Sequence, residues 1–554
     1  MNYHVIYENP NEDLLTRLFK VRWIDDNIDS FLNPKIADYR WDPFLLNDMN
    51  KAVDRIIHAI KNKEKIMIFW DYDVDGVTSS YILYEFMTQF LKYKNVSIQY
   101  PDRVKEGYGI KNIHIDDIKK KWVKLIITVD NGITAIEEAK YAKIQEIDLI
   151  ITDHHQNLEL IPEAFAIVNP QISPQYAFKG LAGVGVAFKL ICALLSKGKF
   201  DQKEKNHIFN YFIPIVAIGT IADIVPLVNE NRVIVKKWLH ALNERKNMPE
   251  SLKWFLEFLN IKWTIESYHI WFIIWPRINA GGRIKSPYDS LHVLLYSWAK
   301  QLEYLEKLEL INTERRKIQE TMFKEAEAML SLDKKILVAF HEEFHEGIVG
   351  IVSGRLTEKY YKPSMIMKID QTKQVGVASL RWPAYFSIID MLKSTGDLLE
   401  RFGGHRWAGW LTVKLENLNA LIEKFTEYCE KSITEENLIK AMDIDTKIYE
   451  NERDDDILVN IDKLAPFGEG NKEPIFLLEN ILISKLEKVG NKTKTHLKIH
   501  AQFGKKKVTS LFRWRWEEVA ELIARHGKEP ISLIGKIKKD TFNGGFYLEG
   551  IEIQ

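Results

Sequence analysis

The chain is poor in the residues that would make it a small stapled, secreted or membrane-borne protein. Only two cysteines occur in 554 residues, Cys192 and Cys429. They are too few for a disulfide framework or a zinc cluster, and each reads as a small core residue in a reducing compartment. No apolar run approaches the roughly 18 residues of a membrane span, and the opening MNYHVIYENPNEDLL lacks the basic and apolar stretches of a secretory signal. A cytoplasmic location with no membrane partner is the expectation. Net charge is lacking too, with 77 basic against 77 acidic residues, so no overall field draws in a polyanion. Contact with nucleic acid must therefore rest on local patches. Internal repeats and long low-complexity tracts are also absent.

What is present is an ordinary globular composition, 46% hydrophobic and 28% charged, in a chain too long for one core. Its length points to about three or four domains. After a mainly helical entry region, with an amphipathic helix expected from Met49 to Ala59, strands and helices alternate from Lys65 to about Leu227. Ile66 to Trp70, Val96 to Tyr100, Leu125 to Val129 and Leu149 to Thr152 are short, β-branched runs, each followed by a polar turn. Such alternation predicts an α/β domain on a mainly parallel sheet, with ligands beyond the carboxyl ends of the strands. The spacing from Gln301 to Leu330 predicts one long connecting helix. A second α/β unit follows from the strand Lys335 to Phe340, and alternating segments from Asp443 to Gln554 predict a small β-barrel. The expected division is 1–50 entry region, 51–230 α/β domain, 231–332 helical region with the long helix, 333–432 second α/β domain and 443–554 barrel.

Acids gather where the parallel sheet should bind its ligand. Asp71, Asp73 and Asp75 in WDYDVDGVTS follow the first strand, Asp130 in ITVDNGI the third, and Asp153-His154-His155 the fourth. Two carboxylates about 4 Å apart repel by roughly 4 kcal/mol at an effective dielectric of 20, so something positive must sit among them. Metal ions that hydrolyse phosphoesters take hard oxygen ligands and an occasional imidazole, and paired ions about 3.5–4 Å apart share a bridging carboxylate. Asp73 and Asp75, on one face of an extended segment, with Asp130, His154 and Asp223 in GTIADIVPL, complete a binuclear cage. One such residue alone would more often be a helix cap or a satisfied polar group; five in one α/β unit are another matter.

DYDVDG, VDNGI, DHH and GTIADIVPL together resemble the DHH phosphoesterase superfamily and, within it, the RecJ family of single-strand DNA exonucleases. The resemblance covers nearly the whole chain. It implies that Asp73, Asp75, Asp130, His154 and Asp223 hold two divalent ions, manganese or magnesium, with Asp130 as the bridge. Asp71, Asp153 and His155 are left as a further ligand, an orienting group or a substrate contact. Phe69 stands where many relatives have a histidine, so the first metal loses an imidazole that Asp71 or water replaces. YPDRVKEGYGI resembles the element in which Arg103 holds a 5′-terminal phosphate and Tyr108 stacks on the nucleotide. PRINAGGRI offers Arg277 and Arg283 as phosphate clamps around a glycine turn, with a turn closed by internal hydrogen bonds as the competing account.

Beyond the long helix, HEGIVGIVSGRL, ASLRW and RFGGHRWAGW resemble the DHH-associated domain that closes over substrate, with Ser379 and Arg381 on the 5′ phosphate and His405 as a substrate contact. The family motif usually continues Ala-Ala-Gly, where this chain has Ala408-Gly409-Trp410. Arg316, in NTERR, replaces a common glutamine and adds a charge toward the backbone. The last domain resembles the family's OB-fold, and Lys505 to Trp516 offers cations with Trp514 and Trp516 as base platforms, beside a core reading for strand aromatics such as Phe512. The implied reaction is 5′→3′ hydrolysis of single-stranded DNA to mononucleotides in repair and recombination by a monomer, with a single-strand-binding protein and a helicase as partners. Two rivals remain: a phosphodiesterase of nanoRNA or cyclic dinucleotides, separated by whether long strands are degraded, and a catalytically silent DNA-binding module, which would have lost metal acids.

Overall fold

The computed structural model describes the chain apart from residues 1, 25–26, 36–41, 102–108, 157–159, 262–263, 406–407, 453, 491–495, 514–518, 522, 525–528, 541–545 and 554. Two compact units emerge, one of residues 42–225 with 237–440 and one of residues 1–41 with 226–236 and 441–554. Among the described residues no helix is long and apolar enough to cross a membrane.

In the larger unit, β1 (Lys65–Trp70), β2 (Val96–Gln99), β3 (Val123–Val129), β4 (Asp148–Thr152) and β5 (Ala166–Val168) form an all-parallel sheet. Its spatial order is β2-β1-β3-β4-β5. Both faces are covered, which is why these strands read as continuous apolar runs rather than alternating ones. Met67, Phe69, Ile126 and Ile151 enter a core under the helices Asn112–Lys120 and Ile136–Ile144. Against the sheet also pack α1 (Val74–Glu85) and α2 (Gly183–Lys197), and α3 (Gln202–Ala222) packs on these two helices. The register sets Trp70 beside Val129 and Val129 beside Thr152. Asp71, Asp130 and Asp153 therefore leave the sheet at one level, beside the β1/β3 point where the strand order reverses and doubly wound sheets bind ligands.

The unit continues through α4 (Trp275–Ile284) and the 31-residue α5 (Trp298–Ala328), about 46 Å long at 1.5 Å per residue. Then come β6 (Leu337–His341), α6 (Glu346–Tyr360), β7 (Ser364–Asp370), β8 (Val375–Arg381), β9 (Leu399–His405) and β10 (Ala408–Lys414). These strands form a mixed sheet in the order β9-β10-β8-β7-β6. One face packs on Ile388, Met391, Leu392, Leu421 and Phe425. The other face packs on α6, which lies over β7 and β8 and meets Leu337, Ala339 and Ile366 through Ile348, Val349, Val352 and Leu356.

The smaller unit is a closed barrel. β11 (Phe476–Val489), β12 (His496–Phe503), β13 (Lys506–Phe512), β14 (Ile531–Lys539) and β15 (Phe546–Ile553) pair in the order β11-β12-β13-β15-β14, and β14 returns to β11. Residues 1–41 belong to it rather than standing apart. The strand Asn2–Val5 pairs in parallel with Ala441–Ile444, and Leu14, Leu18 and Phe19 of the helix Leu14–Val21 enter the barrel core. Arg17, fully buried on the same helix, donates to Glu12 O and Lys447 O, lies 2.8 Å from Glu452 Oε1 and sits 4.8 Å from the Tyr449 ring centre. Arg232 likewise donates to Phe31 O, Leu464 O and Ala465 O, tying residues 226–236 into this unit.

Candidate metal centre

The site is built from turns that only particular residues allow. Asp73 caps α1, its Oδ1 accepting from Gly76 N at 3.0 Å. The extended segment expected through Asp75 therefore ends at Asp73, because this cap starts the helix at Val74. A Cβ on Gly76 would lie 2.2 Å from Asp71 O, so only glycine lets the helix start this close to the strand end. Asp75, in the first turn, accepts from Gly183 N at 2.6 Å and Val184 N at 2.8 Å, the first amides of α2. Gly183 matters for the same reason as Gly76: its Cβ would lie 2.7 Å from Asp130 Oδ1. Asp130 itself adopts φ 60°, and Ile224, the residue after Asp223, has φ 60° as well. For a β-branched residue that conformation is strained, and strain of this kind collects at functional sites.

The side chains converge. His154 Nε2 lies 3.2 Å from Asp130 Oδ1, 3.5 Å from Asp223 Oδ2 and 3.9 Å from Asp75 Oδ2. Two triads stand side by side, Asp75 with His154 and Asp223, and Asp71 with Asp73 and Asp130, the ligand atoms of each within 4.8 Å of one another. Trans oxygens on a six-coordinate ion of this class are about 4.2 Å apart at bond lengths of 2.0–2.1 Å, so each triad fits one ion with little contraction. His154 Nε2 and Asp223 Oδ2 are buried and make no hydrogen bond, a state that a shared cation would relieve.

Electrostatics point the same way. Burial, then the Asp223 charge, push Asp75 up to about 7. Burial, then neighbouring carboxylates, hold Asp130 and Asp223 well above the usual carboxylate range. Burial and then the charge of His155 lower His154, favouring the neutral imidazole that binds metals. Asp153 plays a different part. Fully buried, it accepts from Ile133 N, His154 N, His155 N and His155 Nδ1 at 2.7–3.1 Å. Burial works against both charges of this pair, yet their attraction wins, holding His155 up to about 10 and Asp153 down at about 2. The loop thus carries a fixed imidazolium next to the acids.

The other expected residues fall into separate groups. PRINAGGRI is the helix α4, not a glycine turn, because Gly281 and Gly282 pack on Ser286, Ser290 and Tyr72 O. Arg277 on that helix donates to both oxygens of Glu309, at 2.6 and 3.3 Å, and to Ile273 O. Arg316 reaches the same carboxylate at 3.5 Å. Arg283 donates to Gly347 O at the start of α6. Arg381 Nη1 donates to Ser379 Oγ at 2.9 Å and to Leu380 O on β8. Phe69 lies fully buried in the core. Arg103, Tyr108, Trp514, Trp516 and the side chain of His405 lie outside the described residues. Sequence reasoning missed the Gly183-Val184 amides that hold Asp75, whose trace is the glycine-flanked helix start LAGVGVAF. It also missed Glu309, for which no local signal exists.

Family models match residues 65–220 as the DHH family N-terminal domain, 333–431 as the DHHA1 domain and 444–550 as the RecJ OB domain. The chain is 37% identical over 476 residues to the single-stranded-DNA-specific exonuclease RecJ of Bacillus subtilis, covering 85% of this chain and 58% of that relative. It thus spans little more than half the length of that protein. RecJ of Thermus thermophilus in complex with Mn2+ shares the fold, with a TM-score of 0.83 and 23% identity over 100% of this chain and 79% of that one. An exonuclease RecJ bound to manganese matches with a TM-score of 0.60 and 27% identity over 70% of this chain and 96% of that one.

Proposed function

The chain belongs to the RecJ family of DHH phosphoesterases, and from that premise we propose that it is a metal-dependent exodeoxyribonuclease degrading single-stranded DNA from the 5′ end to mononucleotides. The observation that carries this reading is the convergence of Asp75, Asp130 and Asp223 within 3.9 Å of His154 Nε2 at the switch point of a parallel sheet.

Asp75, His154 and Asp223 would hold one ion and Asp71, Asp73 and Asp130 the other, with Asp130 close enough to both groups to bridge. Manganese or magnesium suits such an oxygen-rich set. When bound, two such ions lower the pKa of a water toward about 7 and neutralise the scissile phosphate. The protein's own contribution is preorganisation. The α2 amides fix Asp75, Asp153 orients the ring of His155 beside the phosphate path, and the strained turns at Asp130 and Ile224 aim the remaining acids. Arg283, Ser379 and Arg381, with Arg103 and His405, supply the phosphate grip that a chain end fills and so set polarity; Tyr108 stacks on the nucleotide. Arg277 and Arg316 stand along the strand's path. Residues 51–230, 333–432 and 443–554 serve as catalytic, substrate-closing and OB-fold domains, joined by the helical residues 231–332. The reading extends, on family grounds, to a cytoplasmic monomer supplied with strands by a helicase and a single-strand-binding protein.

The test is digestion of 5′-labelled and 3′-labelled single- and double-stranded DNA with manganese, repeated with Asp130→Ala. Release of the 5′ label first, as a mononucleotide and from single strands alone, supports the proposal. Early release of the 3′ label, or an unchanged rate in the variant, overturns it.

A further inference from the structure

Trp410 lies on β10, and the register of the second sheet shows which face it shares. On β10, Gly409, Leu411 and Val413 are buried, and Leu411 and Val413 enter the core with Ile388 and Met391, so Ala408, Trp410 and Thr412 face the other way. On β8, Ala378 and Leu380 share that core, so Ser379 and Arg381 face the other way too. Trp410 lies directly opposite Ser379, and Ala408 opposite Arg381. Ser379, Arg381 and Trp410 therefore share one face of the sheet, with the directly opposed Cβ atoms of Ser379 and Trp410 about 5 Å apart and the indole leaning to the β9 side.

The indole lies against Gly403, the residue paired with Trp410 on β9: a Cβ there would meet its Nε1 at 3.0 Å and its Cε2 at 3.1 Å. Glycine at 403 lets the ring lie this close to the strand without a shift. Its outer side remains open, with Trp410 46% exposed. α6 packs on the same face at β8, with Gly350 against Ser379 and Arg381: a Cβ there would lie 3.0 Å from the hydroxyl of Ser379 and 3.1 Å from Nη2 of Arg381. A phosphate grip beside an open aromatic face is the combination that single-strand binders use, because every base has a π-face to stack.

We propose that Trp410 is a base-stacking platform for the nucleotide whose phosphate is held by Ser379 and Arg381. The proposal rests on the exonuclease reading of the site, but its test can be read without hydrolysis. In metal-free buffer, Kd is measured for 5′-phosphorylated single strands carrying no lesion or one abasic residue at the first, second or third nucleotide, with wild type, Trp410→Ala and Trp410→Phe. Wild type should lose about 5- to 150-fold in affinity at one of the three abasic positions. Trp410→Ala should show the same loss on intact DNA and no further loss at that position, while Trp410→Phe retains most of the affinity. An indole that merely shields the Gly403 backbone would lower the melting temperature of Trp410→Ala and leave its abasic penalty equal to that of wild type, which overturns the proposal. Binding of the predicted pattern without 5′ digestion in manganese would sink the exonuclease reading alone.

Discussion

Removing the metals should reverse the way stability depends on pH. An unfolded aspartate titrates near 4, whereas Asp75 in the metal-free fold is pushed up to about 7, and Asp130 and Asp223 lie higher than usual as well. Between these limits the folded state holds protons that the unfolded state has released, so stability falls as pH rises. For one such proton the fall is about 1.4 kcal/mol per pH unit, or about 2–3 kcal/mol from pH 5 to 7. His154, lowered by burial, acts in the opposite sense up to its ordinary value near 6.5, but it is one group against three. His155, raised to about 10, adds to the decline only above that same value, and Asp153, at about 2, titrates below the window. With both ions bound the carboxylates stay ionised, and stability should instead rise with pH as protons cease to compete with metal. Thermal unfolding of the larger unit, followed in chelator and in saturating manganese at pH 5, 6 and 7, should give slopes of opposite sign. Parallel slopes, or metal-free protein more stable at pH 7 than at pH 5, would refute the claim that these acids are forced together and need a cation.

Asp153→Asn should weaken the fold by about 3 kcal/mol, since an amide offers one acceptor to the four donors around it and leaves a buried donor unmet. The His155 imidazole, followed by NMR, should then titrate far below about 10; an unshifted titration would show that Asp153 does not hold the charge. Glu309→Gln frees Arg277 and Arg316 from their shared carboxylate. Single-strand binding should tighten, and its dependence on log salt should steepen by about 0.7 per freed charge; an unchanged slope would mean that neither arginine meets DNA. Arg17→Ala leaves Glu452 without its buried partner, a loss of about 3–5 kcal/mol. Amides of β11 to β13 should exchange faster with solvent, and unaltered protection would show that the first helix is not part of the barrel's stability.

What could be read from the sequence was local. The first four strands of the parallel sheet are short apolar runs ended by acids, and the long helix shows its apolar stripe, so each is visible in a window of a few residues. β5, three residues long, carries too little pattern to see. The glycines of PRINAGGRI look like a turn because glycine is a weak helix former, but tertiary contacts at Gly281 and Gly282 require small residues on a packed helix. Pairing of Asn2–Val5 with Ala441–Ile444 joins residues more than 400 positions apart, and nothing local records it. The metal-site motifs were legible because their residue types are improbable together. The partners that orient them were not, since a backbone amide such as Gly183 N has no signature of its own.

Electron paramagnetic resonance of the manganese-loaded protein, with the bound metal counted, tests the central claim most directly. Two ions per chain with the spectrum of an exchange-coupled pair, lost in Asp130→Asn, is the predicted result. One ion per chain, or two that behave as isolated manganese, would contradict it.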